Sequence, residues 1–260
     1  MKTALIGYTG FVGSNLDAQA SFDDHYNSKN IDAIRGQEYD LVVCAGAPAV
    51  KWLANRNPDE DWANLERLIE ALKAVKAKTF ILISTVDVYA SPVKVDEGSR
   101  AFATREGNAY GHHRRKLEEA VQTQFSQTHI IRLPGLFGPG LKKNVIYDLL
   151  NGNDVHKIHS EGVFQYYNLA HLWADMTRIQ EASITEINLA VEPFSVRELA
   201  RDCFGFDFEN QTNAPAALYD FRTRHSGLWG RSDGYLYGRE QVKAELGEFI
   251  RRHRESAPCN

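Results

Sequence analysis

Thr3-Ala4-Leu5-Ile6-Gly7-Tyr8-Thr9-Gly10-Phe11-Val12-Gly13 is the stretch that decides the fold of this 260-residue chain. Its apolar first part predicts a buried strand, its three glycines predict a sharp loop, and the residues that follow predict a helix. Glycine at these places lets a pyrophosphate approach the backbone closely, and the first N–H groups and positive dipole end of the helix face the same ligand. Three glycines within seven residues also fit an ordinary turn. The position between a strand and a helix favours a dinucleotide site, for which the predicted contacts are Gly7, Thr9, Gly10, Phe11, Val12 and Gly13.

The composition limits the class of protein. Hydrophobic residues make up 43% and charged residues 25% of the chain, as in ordinary soluble globular proteins, and the length fits one core with a smaller appended lobe. The net charge of −4 provides no basic surface for nucleic acid. No apolar run approaches the roughly 18 residues that a membrane span needs. We therefore expect neither nucleic acid nor a membrane as a partner.

The first residues and the cysteines favour a cytoplasmic protein. Met1-Lys2 leads directly into the predicted core strand without a signal-peptide pattern. Cys44, Cys203 and Cys259 are too few and too scattered for a disulfide framework or a zinc site. The histidines also lack the spacing of metal ligands, so we expect no metal site.

Buried strands alternate with amphipathic helices over the first half of the chain. Residues 40–46 and 79–85 are continuous apolar runs typical of parallel strands, and residues 129–133 predict a further strand. Apolar residues recur at helical spacing over residues 61–76 and 115–125. This alternation predicts an α/β fold with a parallel, doubly wound sheet.

Two segments near the predicted strand ends bear on the cofactor. Residues 22–26 predict a short second strand, after which Asn27-Ser28-Lys29-Asn30 carries a cation and no acidic residue. An acidic residue about 20 positions past the glycines suits the ribose of NAD, whereas a cation suits the 2′-phosphate of NADP, so NADP is favoured over NAD. The same composition also fits a simple polar turn. Ala45-Gly46-Ala47 follows the next strand with small side chains that let a cofactor lie close.

Two further stretches carry residue types suited to chemistry. Ser84-Thr85-Val86-Asp87-Val88-Tyr89 lies at the carboxyl end of a predicted buried strand, which is where open α/β sheets bind ligands. Tyr110-Gly111-His112-His113-Arg114 lies at the start of a predicted helix. Tyr110 and Arg114 are four residues apart and therefore share a helix face.

At this point the chain resembles the extended short-chain dehydrogenase/reductase family, which includes NAD(P)-dependent sugar-nucleotide epimerases, dehydratases and reductases. The resemblance rests on four ordered motifs: Gly7-x-x-Gly10-x-x-Gly13, Ser84-Thr85-x-x-Val88-Tyr89, Tyr110-Gly111-x-x-Arg114-x-x-x-Glu118 and Pro134-x-x-x-Gly138-Pro139. It implies a Rossmann-like, doubly wound fold with a dinucleotide-binding domain at residues 1–140. A smaller C-terminal substrate-binding lobe at 141–260 would contain segments that return to the Rossmann core. It also implies a homodimer formed through a helix bundle.

The resemblance assigns roles residue by residue. Thr85 matches the Ser/Thr that binds the reacting oxygen, and Tyr110 matches the general acid/base. Pro134 matches the segment that meets the nicotinamide, and Asn30-Ile31 matches the segment that borders the adenine. For the family's helix asparagine, two positions remain open: Asp61 and Asn64.

Arg114 is the main departure, because the family has lysine four residues after the tyrosine. An arginine keeps the charge permanently, and a unit charge about 5 Å from a phenolate at an effective dielectric near 20 is worth about 3 kcal/mol, or roughly two pKa units. Its longer, planar head does not reproduce the geometry of lysine. His113 stands where the family commonly has serine. His112 and His113 are either substrate contacts or surface residues.

The resemblance implies hydride transfer between a nicotinamide cofactor and a small polar or sugar-like substrate. In that reaction Tyr110 moves the proton and Thr85 polarises the oxygen. The alternative is an NAD(P)-binding sensor or scaffold without redox turnover, in which Arg114 marks the loss of catalysis. In that case Tyr110 is a core tyrosine and Thr85 merely ends a strand.

Overall fold

The computed structural model describes residues 1–256, and these form two compact units. The first unit comprises Met1–Ser91, Glu97–Leu133 and Ala170–Asn188, and the second comprises the other described residues. None of the helices within residues 1–256 has the length and apolar composition needed to cross a membrane. Cys44 and Cys203 are free thiols whose pKa burial raises to about 11, and Cys259 lies outside the described residues.

The strands and helices are numbered in chain order. The strands are β1 (Thr3–Ile6), β2 (Asp24–Tyr26), β3 (Glu38–Cys44), β4 (Lys76–Thr85), β5 (Thr128–Leu133), β6 (Gly135–Phe137), β7 (Val163–Phe164), β8 (Tyr166–Asn168), β9 (Glu186–Asn188) and β10 (Phe194–Ser195). The helices are α1 (Phe11–Asp17), α2 (Lys51–Arg56), α3 (Pro58–Leu72), α4 (Arg105–Gln124), α5 (Val145–Asn151), α6 (Leu172–Glu181), α7 (Val196–Leu199) and α8 (Arg239–Ser256).

The first unit is built on one parallel sheet with the strand order β2-β1-β3-β4-β5-β9. All residues of β1 and β5 are buried, as expected for strands of a parallel sheet covered on both faces. The order of the strands reverses between β1 and β3, which creates a crevice beyond their carboxyl ends. This arrangement confirms the predicted Rossmann-like, doubly wound α/β fold.

The two long helices of the first unit begin earlier than the apolar spacing indicated. α3 starts at Pro58, followed by three acidic residues that suit the positive end of a helix, and it ends at Leu72. The predicted helix at 61–76 therefore ends four residues too late, because Lys76 already opens β4. α4 starts at Arg105, where the Thr104 hydroxyl accepts a hydrogen bond from Gly107 N, and Asn108 is non-helical within it.

The second unit contains two small strand pairs and the C-terminal helix. β6 pairs in parallel with β8, and β10 pairs antiparallel with β7. The buried Gln165 amide ties this unit together by donating to Val191 O at 2.6 Å and Phe221 O at 3.0 Å. The predicted capping box is present, since Ser195 and Glu198 bond reciprocally at the start of α7.

Candidate functional site

The glycine loop forms a cradle that leaves no room for side chains at two positions. Gly7 has φ +86°, and a Cβ on it would lie closer than 3.0 Å to the carbonyl oxygen of Ala45. A Cβ on Gly13 would come equally close to the carbonyl oxygen of Gly7. Thr9 and Gly10 at the tip are exposed to solvent. The loop thus presents bare backbone, which is what close approach of a pyrophosphate requires.

The structure brings the segment Ala45-Gly46-Ala47 against this loop. The Ala45 amide donates to Ile6 O at 2.8 Å, and a Cβ on Gly46 would lie 2.9 Å from the Ile6 Cγ2. Both segments follow strands at the point where the strand order reverses, which is where doubly wound sheets bind ligands. The residues present therefore fit a dinucleotide.

Replacing Gly13 by alanine is expected to destabilise the chain by about 1–3 kcal/mol, because the backbone carbonyl of Gly7 cannot yield to a new methyl group. Affinity for NAD(P)H should fall with it. Urea unfolding and a fluorescence titration measure the two effects. The matched control is Gly247→Ala in α8, where a Cβ meets nothing within 4 Å and should stabilise by about 0.5–1 kcal/mol. Equal effects at both positions would contradict the close packing of the loop.

The tip after β2 is a self-bonded polar turn. Asn27 N donates to Asn30 Oδ1 at 2.7 Å, and Lys29 N donates to Asn27 Oδ1 at 2.9 Å. Ser28 and Lys29 are exposed, whereas Ile31 is buried in the core. The hydroxyl and the ammonium are thus presented to solvent, while the two amides hold the turn in shape.

Thr85 and Tyr110 come together at the carboxyl end of β4. Thr85 is the last residue of that strand, and its hydroxyl hydrogen-bonds the Tyr110 phenol. Tyr110 is 8% exposed. Gly111 lets α4 pack directly on the strand end, since a Cβ there would overlap the carbonyl oxygen of Asp87. The two side chains assigned to proton transfer and oxygen binding are therefore adjacent.

Arg114 is locked beneath the Tyr110 ring. Its guanidinium carbon lies 4.1 Å from the ring centroid, and the side chain is 3% exposed. Its two terminal nitrogens donate to the Asp61 carboxylate and to the carbonyl oxygen of Pro48. Asp61, one of the two candidates for the helix asparagine, is therefore the acceptor for this cation, and Asn64 is exposed.

His113 is not a surface residue. It is 2% exposed, and its Nδ1 lies 2.8 Å from Asp61 Oδ2, so it shares that carboxylate with Arg114. Its ring lies 5.5 Å from the Trp62 ring. Burial lowers the pKa of His113 despite the neighbouring carboxylate. The sequence interpretation of His113 as exposed is wrong because α3 packs over it.

This depressed pKa predicts lower stability in mild acid. The unfolded chain binds a proton at His113 below its ordinary pKa of about 6.5, whereas the folded chain resists it, so stability should fall as the pH drops below about 6.5. His113→Asn keeps a donor toward Asp61 without a titrating ring and should weaken this dependence. Urea midpoints measured between about pH 5 and pH 7.5 test it, with exposed His156→Asn as the control. An unchanged pH profile in His113→Asn would rule out this residue as the cause.

Several charges set the protonation of Tyr110. Burial raises the pKa of the phenol, Arg114 lowers it, Asp87 raises it, and the Thr85 hydrogen bond and Lys51 lower it, with a net upward shift. The phenol is therefore protonated at neutral pH, which suits a proton donor.

Sequence reasoning missed three residues of this region. Asn55 Oδ1 accepts a hydrogen bond from Tyr110 N at 2.9 Å, and Lys51 lies one turn earlier on α2. The third is Arg132 of β5, whose fully buried guanidinium binds Glu118 at 2.7 and 2.9 Å and the Tyr89 hydroxyl at 2.9 Å. Two motif residues, Tyr89 and Glu118, thus serve a buried network behind the site. A charged residue inside an apolar strand was the available signal for Arg132.

Among residues 1–256, no group of three or more His, Cys, Asp and Glu side chains is arranged to hold a metal ion. The chemistry available here comes from a phenol, a hydroxyl and their charged neighbours.

A family model decides the classification. The model described as NAD dependent epimerase/dehydratase family matches residues 19–161, which is more than half of the chain. The chain belongs to the NAD dependent epimerase/dehydratase family. This confirms the resemblance drawn from the four sequence motifs. No curated protein sequence matches this family member significantly.

Solved structures share the fold of this epimerase/dehydratase family member over nearly its whole length. The dTDP-4-dehydrorhamnose reductase of Bacillus anthracis in complex with NADP has a TM-score of 0.74 at 16% identity, covering 97% of this chain and 99% of that chain. The UDP-glucose 4-epimerase of Thermotoga maritima with UDP-glucose has a TM-score of 0.71 at 16% identity, covering 98% and 99%. MoeE5 in complex with UDP-glucuronic acid and NAD has a TM-score of 0.70 at 14% identity, covering 99% and 100%. Identities this low show a common fold.

Proposed function

We propose that this protein is an NAD(P)-dependent oxidoreductase or epimerase that acts on a sugar-like substrate through a tyrosine acid/base. The observation that carries this function is the hydrogen-bonded pair of Thr85 and Tyr110 at the carboxyl end of β4. Family membership supports the same class of reaction. The similar structures bind dTDP- or UDP-sugar enzymes' cofactors and UDP-sugars, which favours a sugar nucleotide as the first substrate to test.

The side chains divide the work of a carbonyl reduction. When bound, NAD(P) supplies hydride chemistry that protein side chains lack. Thr85 donates a hydrogen bond to the substrate oxygen and holds it beside the phenol. Tyr110 gives its proton to the same oxygen, and its upward-shifted pKa keeps that proton in place at neutral pH.

The glycine cradle at Gly7, Gly10 and Gly13 would hold the dinucleotide diphosphate, with Ala45-Gly46-Ala47 leaving room beside it. Asn27, Ser28, Lys29, Asn30 and Ile31 would border the adenosine half, and Pro134, directly after β5, would border the nicotinamide. The first unit is thereby the dinucleotide-binding domain, and we assign the substrate lobe to the second unit. We also propose a homodimer through α3 and α4, where Ile69, Leu72 and Ala120 line an apolar groove.

Lys29→Ala is expected to weaken NADP(H) binding about tenfold and to leave NAD(H) binding unchanged. The exposed ammonium would contact the 2′-phosphate, and such a charge-assisted contact is worth about 1.5 kcal/mol. Fluorescence titration with both reduced cofactors measures the ratio, with exposed Lys116→Ala on α4 as the control. Unchanged NADPH affinity would remove the argument for NADP.

The function is tested by following oxidation of NADPH and NADH with dTDP- and UDP-linked 4-keto sugars and with small aldehydes. Conversion between UDP-hexose epimers is followed in parallel by chromatography. Turnover of a nucleotide-linked sugar that depends on Tyr110 supports the proposal. Tight dinucleotide binding without turnover of any of these substrates would favour the second candidate.

That second candidate is an NAD(P)-binding sensor or scaffold without redox turnover. The observation in its favour is the locked position of Arg114, whose terminal nitrogens are engaged by Asp61 and Pro48. Arg114→Lys distinguishes the two functions. Activity that arises only in this variant would show that the arginine has switched off catalysis.

A further inference from the structure

The cation expected to assist Tyr110 is engaged elsewhere. Arg114 donates to Asp61 and to the carbonyl oxygen of Pro48, and its guanidinium lies against the face of the Tyr110 ring. Its charge is partly offset by the buried Asp61 carboxylate, and its donors point away from the phenol oxygen into those two acceptors. The family's lysine position is thus filled by a residue that serves as a support for the ring.

A second cation reaches this region from α2. Asn55 and Lys51 lie one helical turn apart, and Asn55 fixes α2 to the start of α4 through its bond to Tyr110 N at 2.9 Å. From the same face, Lys51 Nζ donates to Asp87 Oδ1 at 2.6 Å. The Lys51 side chain is 42% exposed, so its ammonium is accessible to solvent.

Asp87 is held between the two reacting side chains. Its backbone N donates to Thr85 Oγ1 at 3.2 Å, and its carbonyl oxygen accepts from Asn108 Nδ2 at 3.1 Å. Gly111 packs directly on that carbonyl. The Lys51–Asp87 ion pair is therefore anchored to both Thr85 and the first turns of α4.

We propose that the Lys51–Asp87 pair is the charge centre that tunes the Tyr110 phenol, in place of the family's lysine. Both are positioning residues, because they act through Tyr110. The pair's role in catalysis rests on the proposed function, whereas its effect on the phenol is a property of the chain alone. Charged groups face Tyr110 from three elements: Lys51 from α2, Asp87 from the segment after β4, and Arg114 from α4.

The two members of the pair act on the phenol with opposite signs. Lys51 stabilises a phenolate and lowers the pKa of Tyr110, while Asp87 disfavours a phenolate and raises it. Separation of the pair, for example when Lys51 binds a hydroxyl or anionic group of a ligand, would change the balance at Tyr110. The arrangement thereby couples occupancy of the site to the strength of its acid.

The experiment is a titration of Tyr110 in the whole chain without cofactor or substrate. The tyrosines are replaced by difluorotyrosine, whose electron-withdrawing fluorines bring the phenol pKa into an accessible range, and each is followed by fluorine NMR. Loss of one signal in Tyr110→Phe assigns the resonance. Lys51→Met should raise the midpoint of Tyr110 by about one pH unit, and Asp87→Asn should lower it. Lys51→Arg should restore most of the parental value.

Lys116→Met is the matched control, since Lys116 lies on α4 with Tyr110 but over the Trp62 ring at 4.8 Å. It should leave the Tyr110 midpoint unchanged. Unchanged midpoints in both Lys51→Met and Asp87→Asn, or an equal shift in Lys116→Met, would overturn the assignment. Because no turnover is measured, a failure here is distinct from a failure to find a substrate, and the shifts can be present in a protein without redox activity.

Discussion

Tyr110→Phe is expected to lower kcat for carbonyl reduction by about 10²- to 10⁴-fold, the usual contribution of a positioned acid. KM should change little, because the phenyl ring keeps its stacking on Arg114 and its buried position. The free energy of unfolding should also remain similar, since the lost hydroxyl leaves Thr85 a bond from Asp87 N. Steady-state kinetics with NADPH and a responsive sugar nucleotide measure the effect.

Tyr147→Phe in α5 is the matched control for this loss of a hydroxyl, and it should retain parental kcat. Dinucleotide affinity measured by fluorescence should be similar in all three proteins. A Tyr110→Phe enzyme with parental kcat would exclude the tyrosine acid/base mechanism, even if the fold and the dinucleotide site are intact.

Arg132→Met is expected to destabilise the protein by about 3–5 kcal/mol, because it leaves the Glu118 carboxylate buried without its main partner. Both side chains are fully buried, and Glu118 also accepts from Ser84 at 2.6 Å and from Arg115 at 2.9 Å. Urea unfolding followed by circular dichroism measures the loss.

The double variant Arg132→Met with Glu118→Leu should recover much of the stability, since both charges of the pair are then removed. Arg251→Met on the exposed side of α8 is the control and should have little effect, although Arg251 also pairs with two glutamates. If the double variant were as unstable as Arg132→Met alone, the cost would arise from lost packing and hydrogen bonds rather than from an unpaired charge.

The sheet and the glycine loop were predictable because their signals are local. Strands buried on both faces must be continuously apolar, and a loop whose backbone contacts other backbone must use glycine. The runs at 40–46 and 79–85 therefore mark β3 and β4 within a few residues. The start of α4 was missed by ten residues because its first turns carry polar side chains, capped by Thr104.

The surroundings of Tyr110 were less predictable, since they depend on residues distant in the chain. Asn55 and Tyr110 are 55 residues apart, and neither the short polar helix α2 nor its contacts has a periodic signature. Arg114 was recognised as a departure, but its partners Asp61 and Pro48 become visible only when α3 and α4 pack together. Motif spacing identifies a residue's position and leaves its partners unspecified.

The seat of Arg114 also makes the substitution hard to reverse. A planar guanidinium serves two acceptors in different directions, Asp61 and the Pro48 carbonyl, while lying flat against an aromatic ring. A single ammonium on a shorter chain satisfies only part of that arrangement and leaves a buried acceptor poorly matched. A lineage that has adapted its buried acceptors to arginine therefore meets a stability barrier on any one-step return to lysine, and such a return requires compensating changes at Asp61 or around Pro48.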